Sequence, residues 1–175
     1  LKGMTENITP VETWQLFEKM SDENKIKFMG SEAFDSPRLR TLLIDNLNSK
    51  SVRVRETAGK RLRTHVDELS PQALLDILEP HLKSDQAESW VMPLLLEHHK
   101  DEKIVEVVSD LISKLDSDNR EKILTPFFYL DTVDFHPTIL KNLMARRKQL
   151  PKKDKARVLI NDLFEVIAQN TKCTT

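Results

Sequence analysis

Apolar residues recur every three or four positions along most of the chain, which is the spacing of one face of an α-helix. In residues 36–69 this pattern makes two stripes, separated by a polar run at residues 48–51. The first stripe contains Leu39, Leu42, Leu43 and Leu47, and the second contains Val54, Ala58, Leu62, Val66 and Leu69. The segment therefore predicts two helices joined by a short polar turn.

The signals that start a helix return at regular intervals. A Ser-Pro pair at residues 36–37 is followed 34 positions later by another at residues 70–71, and a His-Pro pair follows 66 positions after that, at residues 136–137. Serine can accept a hydrogen bond from an orphan amide, while proline loses nothing in the first turn of a helix. Between the last two pairs, the acidic residues 101–102 suit the N-terminus of a helix dipole. The chain therefore repeats with a period of about 33 residues.

This period predicts four copies of a two-helix repeat behind an N-terminal cap. The cap, residues 1–35, holds one helix at residues 10–20 and a second that Ser21 caps. The four repeats cover residues 36–170, and residues 171–175 form a tail. The expected first helices are residues 37–47, 71–82, 102–112 and 137–147, and the expected second helices are residues 52–69, 86–99, 119–130 and 154–168.

Composition supports a helical fold. Only three glycines occur in 175 residues, too few for the turns of a hairpin-rich β fold. The length suits one domain with a sizeable core, so we expect a single domain over residues 1–175. Charged residues make up 31% of the chain and the formal net charge is −1, so any electrostatic preference must be local. The longest apolar run, residues 90–96, is too short to span a membrane.

The turn and second helix of the first repeat resemble a known family. The run Ser51, Val52, Arg53, Val54, Arg55, Glu56, Thr57, Ala58, followed by Leu62, resembles a HEAT repeat, which has valine and arginine after a polar turn and alanine and leucine on the buried face. The other three repeats match in period and helix layout. The resemblance implies an all-α, right-handed solenoid of antiparallel helix pairs, with about ten helices and no sheet. It also implies a scaffold for binding rather than one particular chemistry.

Candidate catalytic and metal-binding patterns are weak. No two of the five histidines have the i, i+4 spacing of a helical zinc site, and neighbouring His98 and His99 point about 100 degrees apart on a helix. The single cysteine, Cys173, has no partner in the chain for a disulfide. The sequence also lacks a glycine-rich phosphate loop and a nucleophile elbow. We therefore expect a protein that is not an enzyme and that holds no cofactor or metal.

Charge is distributed in bands. Residues 51–64 hold five basic residues and one acidic residue, a net charge of +4, and residues 141–157 hold eight and one, a net charge of +7. Residues 101–121 lie between them with a net charge of −4. Such bands can steer a charged partner, or they can be solvated helix faces. The basic candidates for partner binding are Arg53, Lys60 and Arg63 in the first band and Arg146, Arg147 and Lys148 in the second.

An apolar segment offers a second candidate. The expected helix at residues 86–99 is apolar on nearly all sides, so it is either buried by its neighbours or part of a groove that holds a partner. In the groove interpretation, Trp90, Met92 and Leu96 contact the partner. Tyr129, in the aromatic run at residues 127–129, poses the same choice one repeat later.

These observations favour a scaffold or adaptor that holds a protein or peptide on the concave face of the solenoid, which second helices line in HEAT-like arrays. The alternative is nucleic-acid binding through the basic bands, by analogy with HEAT-like DNA glycosylases, with an aromatic residue such as Trp90 or Tyr129 meeting a base. A sequence pI near 6.6 disfavours that alternative. Residues 1–7 lack the apolar core of a secretory signal, so we expect a cytoplasmic protein without a membrane span.

Overall fold

The structure is a computed structural model that describes residues 15–31, 37–83 and 87–173. Every regular element in these ranges is a helix, and they contain no β-strand, which confirms the all-α prediction. After helical residues 15–18, the α-helices are α1 (Asp22–Gly30), α2 (Pro37–Asn46), α3 (Val52–Leu62), α4 (Pro71–Leu78), α5 (Val91–Leu96), α6 (Glu102–Ser113), α7 (Arg120–Leu124), α8 (Pro137–Gln149) and α9 (Lys155–Cys173). Four 3-10 segments also occur, at Arg63–Glu68, Glu79–His81, Thr125–Tyr129 and Thr132–Asp134.

The chain divides into two compact units, Leu1–Glu68 and Leu69–Thr175, which we call the N-terminal and C-terminal units. The division falls at the end of the first predicted repeat. Each unit has its own apolar core. The expectation of a single domain over residues 1–175 stays a prediction.

In the N-terminal unit, α3 packs against both α1 and α2. All four leucines of the first predicted stripe are buried, and so are four of the five residues of the second, while Leu69 is half-buried. Phe17 and Phe28 add an edge-to-face pair with ring centroids 5.7 Å apart. The predicted pairing of the helices in the first repeat is therefore confirmed.

In the C-terminal unit, helices with the same place in successive repeats pack against each other. Among the first helices, α4 contacts α6 and α6 contacts α8. Among the second helices, α5 contacts the 3-10 segment Thr125–Tyr129, and α9 contacts both that segment and α7. Within this unit, helices that occupy corresponding places in the predicted repeats are therefore in contact.

Polar bonds between first helices follow the period of the sequence. Asn142 Nδ2 donates to Ser109 Oγ at 2.7 Å, across 33 positions, and Lys103 Nζ donates to Gln72 Oε1 at 2.9 Å, across 31. His136 Nε2 lies 3.2 Å from Glu102 Oε1, across 34 positions. Neighbouring repeats are therefore joined by polar contacts as well as by the core.

The helices begin where the cap residues predict. Ser21, Ser51 and Ser70 each accept a hydrogen bond from the amide three residues later, and the carboxylate of Asp101 accepts two, from the amides of residues 103 and 104. His136 caps α8 through Nδ1, which accepts from the amide of Thr138 at 3.1 Å. The predicted cap at Ser36 and the predicted helix start at residue 10 lie outside the described residues.

All four second helices differ from their predicted bounds, and the one predicted at residues 154–168 extends over Lys155–Cys173. The predicted helix 52–69 is α-helical only to Leu62 and continues as the 3-10 segment Arg63–Glu68. The predicted helix 119–130 changes to 3-10 geometry at Thr125, because Pro126 cannot donate the next α-helical hydrogen bond. The predicted helix 86–99 is α-helical only over Val91–Leu96, which includes Pro93, and turns flank it at residues 89–90 and 97–100. Residue 86 lies outside the described residues.

Candidate binding surfaces

The first basic candidates lie on the solvent face of α3 and its 3-10 extension. Arg53, Lys60 and Arg63 are all exposed, as expected for positions away from the buried stripe. The Nζ of Lys60 forms an ion pair with Glu56 at 2.7 Å, one turn earlier. The acidic residue therefore reduces the positive charge at the centre of this face.

Arginines in both basic bands bind carbonyl groups of their own chain. Arg55 Nη1 donates to the carbonyl of Ser49 at 2.8 Å, and Arg157 Nη1 donates to that of Leu150 at 2.9 Å. These side chains satisfy carbonyls that turns leave without a helical partner. Fewer guanidinium donors are therefore available to a partner than a count of arginines along the sequence suggests.

The apolar segment around α5 is buried. Trp90 is 2% exposed, Met92 2% and Leu96 5%, and Val91, Leu94 and Leu95 are buried as well. Trp90 also packs edge to face with His81, with ring centroids 4.9 Å apart. Of the two alternatives that the sequence left open, the structure shows the buried helix, so these three candidates lie in the core and form no open groove. The reason is that α5 has helices or 3-10 segments on several sides, including α6 and Thr125–Tyr129.

The aromatic run one repeat later is divided between core and surface. Phe127 is fully buried and stacks on Phe135 with ring centroids 6.0 Å apart, whereas Tyr129 is 82% exposed. Val133, four residues after Tyr129, is 86% exposed. The run ends in a 3-10 segment whose side chains point in three directions, so neighbouring aromatic residues reach opposite environments. Tyr129 remains a surface candidate.

The two arginines of the second candidate set make internal contacts. Arg146 donates from Nε and Nη2 to the carbonyl oxygen of Leu115, at 2.9 and 2.7 Å. The guanidinium of Arg147 lies 5.0 Å from the centre of the Phe164 ring, and its Nη1 donates to Asn161 Oδ1 at 3.5 Å. Both side chains are half-buried. They join α8 to the end of α6 and to α9, so they hold the last repeat together.

Lysines supply the exposed charge of this region. Lys148 is exposed, and the same is true of Lys141, Lys152, Lys153 and Lys155. Met144 lies between Lys141 and Lys148 on α8 and is 46% exposed. Sequence reasoning did not single out Met144. Its spacing could have identified it, because Met144 lies three residues after Lys141 and four before Lys148, which places all three on one side of a helix.

The described residues contain no group of three or more histidine, cysteine, aspartate or glutamate side chains that could hold a metal ion. The histidines have structural contacts instead. His98 Nε2 lies 2.9 Å from the carbonyl oxygen of Leu69, and His136 caps α8. In the same part of the chain, no helix combines the length and the apolar character needed to cross a membrane.

These features define an all-helical protein in which helix pairs pack in sequence order within the C-terminal unit. Comparison of the chain with protein-family models, with curated proteins and with solved structures gave no match.

Proposed function

We propose that this protein is a non-enzymatic α-solenoid scaffold of the HEAT type, which binds a protein or peptide partner. The observation that carries the proposal is the order of packing in the C-terminal unit, where α4, α6 and α8 contact each other in succession. Contacts that repeat at the period of the sequence are the defining property of solenoids. Solenoids of this kind present extended surfaces that suit macromolecular partners.

The surface chemistry supports a protein partner more than a nucleic acid. Lys60 is paired with Glu56, and Arg146 and Arg147 are engaged within the fold. By contrast, the large side chains of Tyr129 and Val133 are exposed to solvent. Tyrosine is enriched at protein interfaces because its ring buries a large area while its hydroxyl finds a polar partner. The buried positions of Trp90, Met92 and Leu96 are not part of the proposed surface.

The proposal is tested by capture of partners from a native lysate on immobilised protein, with and without nuclease. We expect protein partners that survive nuclease treatment, and that bind the immobilised chain directly when purified. Recovery of nucleic acid alone, or loss of all bound proteins after nuclease, would show that the nucleic-acid alternative is the better one.

A matched pair of variants makes this test specific to the surface. Tyr129→Ser removes a ring that is 82% exposed, whereas Phe127→Leu changes a neighbouring ring that is fully buried. If the partner uses this surface, Tyr129→Ser weakens binding and leaves the unfolding midpoint unchanged. Phe127→Leu lowers the midpoint and leaves the affinity of the folded fraction unchanged.

A further inference from the structure

The helix α8 has one buried side and one exposed side, and the exposed side carries both lysines and a methionine. Ile139 and Leu143 are buried on one side of this helix, and Asn142 on the same side bonds to Ser109 of α6. With 100 degrees per residue, Lys141, Met144 and Lys148 lie on the opposite side. All three are exposed.

The helices α6 and α8 differ in the number of first helices that pack against them. The helix α6 has a first helix on each side, α4 and α8. Within the part of the chain that the structure describes, α8 contacts α6 but has no further first helix beyond it. Met144, at 46% exposure, is an apolar side chain on the exposed side of α8.

The lysines around Met144 indicate the charge of the occupant. Side chains of Lys141, Lys148, Lys152, Lys153 and Lys155 form no ion pair or hydrogen bond with any described residue. The one acidic residue in the turn that precedes α9, Asp154, is engaged as a helix cap, because its Oδ1 accepts from the amide of Ala156 at 2.8 Å. The carboxylate of Asp154 keeps its negative charge, and the five lysines exceed it, so residues 141–155 retain a net positive charge.

We propose that the basic face, which comprises Lys141, Met144 and Lys148 of α8, binds an acidic amphipathic protein segment. The apolar side chain of that segment packs on Met144, and its carboxylates lie beside the flanking lysines. Lys141 and Lys148 are two helical turns apart, about 10.5 Å along the axis, so carboxylates one turn before and one turn after the apolar residue match them. Charge complementarity around an apolar centre supplies both orientation and steering.

A protein segment fits this face better than duplex DNA. The two arginines beside the lysines, Arg146 and Arg147, hold α8 to its neighbours and leave only ammonium groups exposed. Arginine is the side chain that matches phosphate oxygens with two parallel hydrogen bonds. A flexible methionine in the middle of the cations would meet no partner on a phosphate backbone, whereas it adapts to apolar side chains of many shapes.

This inference rests on the proposed scaffold function and names the chemistry of one partner. The probe is a fluorescent helical peptide of about 15 residues, with glutamates one turn before and one turn after a central leucine. Its control replaces each glutamate by lysine. We expect saturable binding of the acidic peptide to the full chain, which weakens as salt is raised from about 50 to 300 mM, and none of the control.

Variants of the full chain locate the binding. The double variant Lys141→Glu/Lys148→Glu should weaken binding at least about tenfold, and Met144→Ser about fivefold. The control Lys27→Glu/Lys122→Glu makes the same change of charge at two exposed lysines elsewhere, and should alter affinity by less than about threefold. Circular dichroism should show the same helical signal for all four proteins.

The inference is overturned if the acidic peptide shows no saturation up to about 1 mM, or if the control double variant weakens it as much as Lys141→Glu/Lys148→Glu does. It is also overturned if a 20-base-pair DNA probe binds this face more tightly than the peptide. Self-association abolished by Lys141→Glu/Lys148→Glu would assign the face to a second copy of the chain instead. If a captured protein partner binds the double variant as tightly as the wild type, the scaffold function stands and this assignment of its surface fails.

Discussion

The guanidinium of Arg146 donates two hydrogen bonds to one acceptor, the carbonyl oxygen of Leu115, which follows the last turn of α6. Carbonyls at this end of a helix have no partner within the helix. Arg146 thereby joins α8 to the segment that follows α6, 31 positions earlier in the chain. An arginine that sequence analysis grouped with a basic binding surface is therefore a connection between two helical segments of the C-terminal unit.

Replacement of Arg146 should destabilise the protein. We expect Arg146→Gln to lower the free energy of unfolding by about 1–3 kcal/mol, because the carbonyl of Leu115, a buried residue, loses its charged donor. Arg146→Lys should recover little of this loss, since an ammonium group cannot present two donors in a planar fork. Urea unfolding followed by circular dichroism measures the difference. Lys148→Gln, at an exposed position two residues later, is the control and should stay within about 0.5 kcal/mol of the wild type.

The cap of α6 offers a second test. The Asp101 carboxylate accepts hydrogen bonds from the amides of Lys103 at 3.0 Å and Ile104 at 3.2 Å. Asp101→Ala should cost about 1 kcal/mol of stability, whereas Asp101→Asn keeps an accepting oxygen and should cost only a few tenths. Thermal unfolding at neutral pH distinguishes the two. Equal losses in both variants would show that charge at the helix N-terminus, rather than hydrogen bonding, is the larger contribution.

Residues of α5 should affect stability and not binding. Met92 is 2% exposed, so Met92→Ala should lower the free energy of unfolding by about 2–5 kcal/mol through lost burial and a residual cavity. Val133→Ala, at a position that is 86% exposed, should change stability by less than about 0.5 kcal/mol. Denaturant unfolding of the pair tests the assignment. A Met92→Ala protein as stable as the wild type would mean that α5 contributes little to the core.

We expect no tight binding of DNA or RNA at physiological salt. A protein that contacts phosphates loses affinity as salt rises, with a log–log slope of about −0.9 per contact on duplex DNA. Fluorescence anisotropy over a range of salt concentrations measures this slope for the wild type and for Arg53→Gln/Lys60→Gln/Arg63→Gln. Submicromolar binding at physiological salt that the triple variant abolishes, with its helical signal intact, would contradict the expectation.

The sequence was sufficient to predict the helical class and most helix starts, because both depend on local spacing. Ser21, Ser51, Ser70 and Asp101 act as caps through contacts within three residues. The change to 3-10 geometry at Arg63 was not predicted, because Arg63–Glu68 contains no proline to mark it. The change at Thr125 does have a local mark, since Pro126 follows it.

The candidate surface was predicted only in outline. Exposure of Arg53, Lys60 and Arg63 followed from helical periodicity, which assigns residues opposite a buried stripe to solvent. The roles of Arg146 and Arg147 depend on a carbonyl 31 positions earlier and on a ring 17 positions later. Contacts at that distance leave no trace in local spacing. For the same reason the sequence could not decide whether Trp90 lies in a groove or in the core.

The C-terminal half of α9 contains few buried residues, so this part of the helix should open more often than the core helices. Buried residues of this helix end at Leu163, and none of residues 164–171 is buried, although Phe164 and Ile167 are half-covered. Opening of these last turns exposes little apolar surface, so backbone amides there should exchange with deuterium long before those of α5 and α6. We therefore expect the final turns of α9 to open and close independently, while the part of the helix up to Leu163 stays packed.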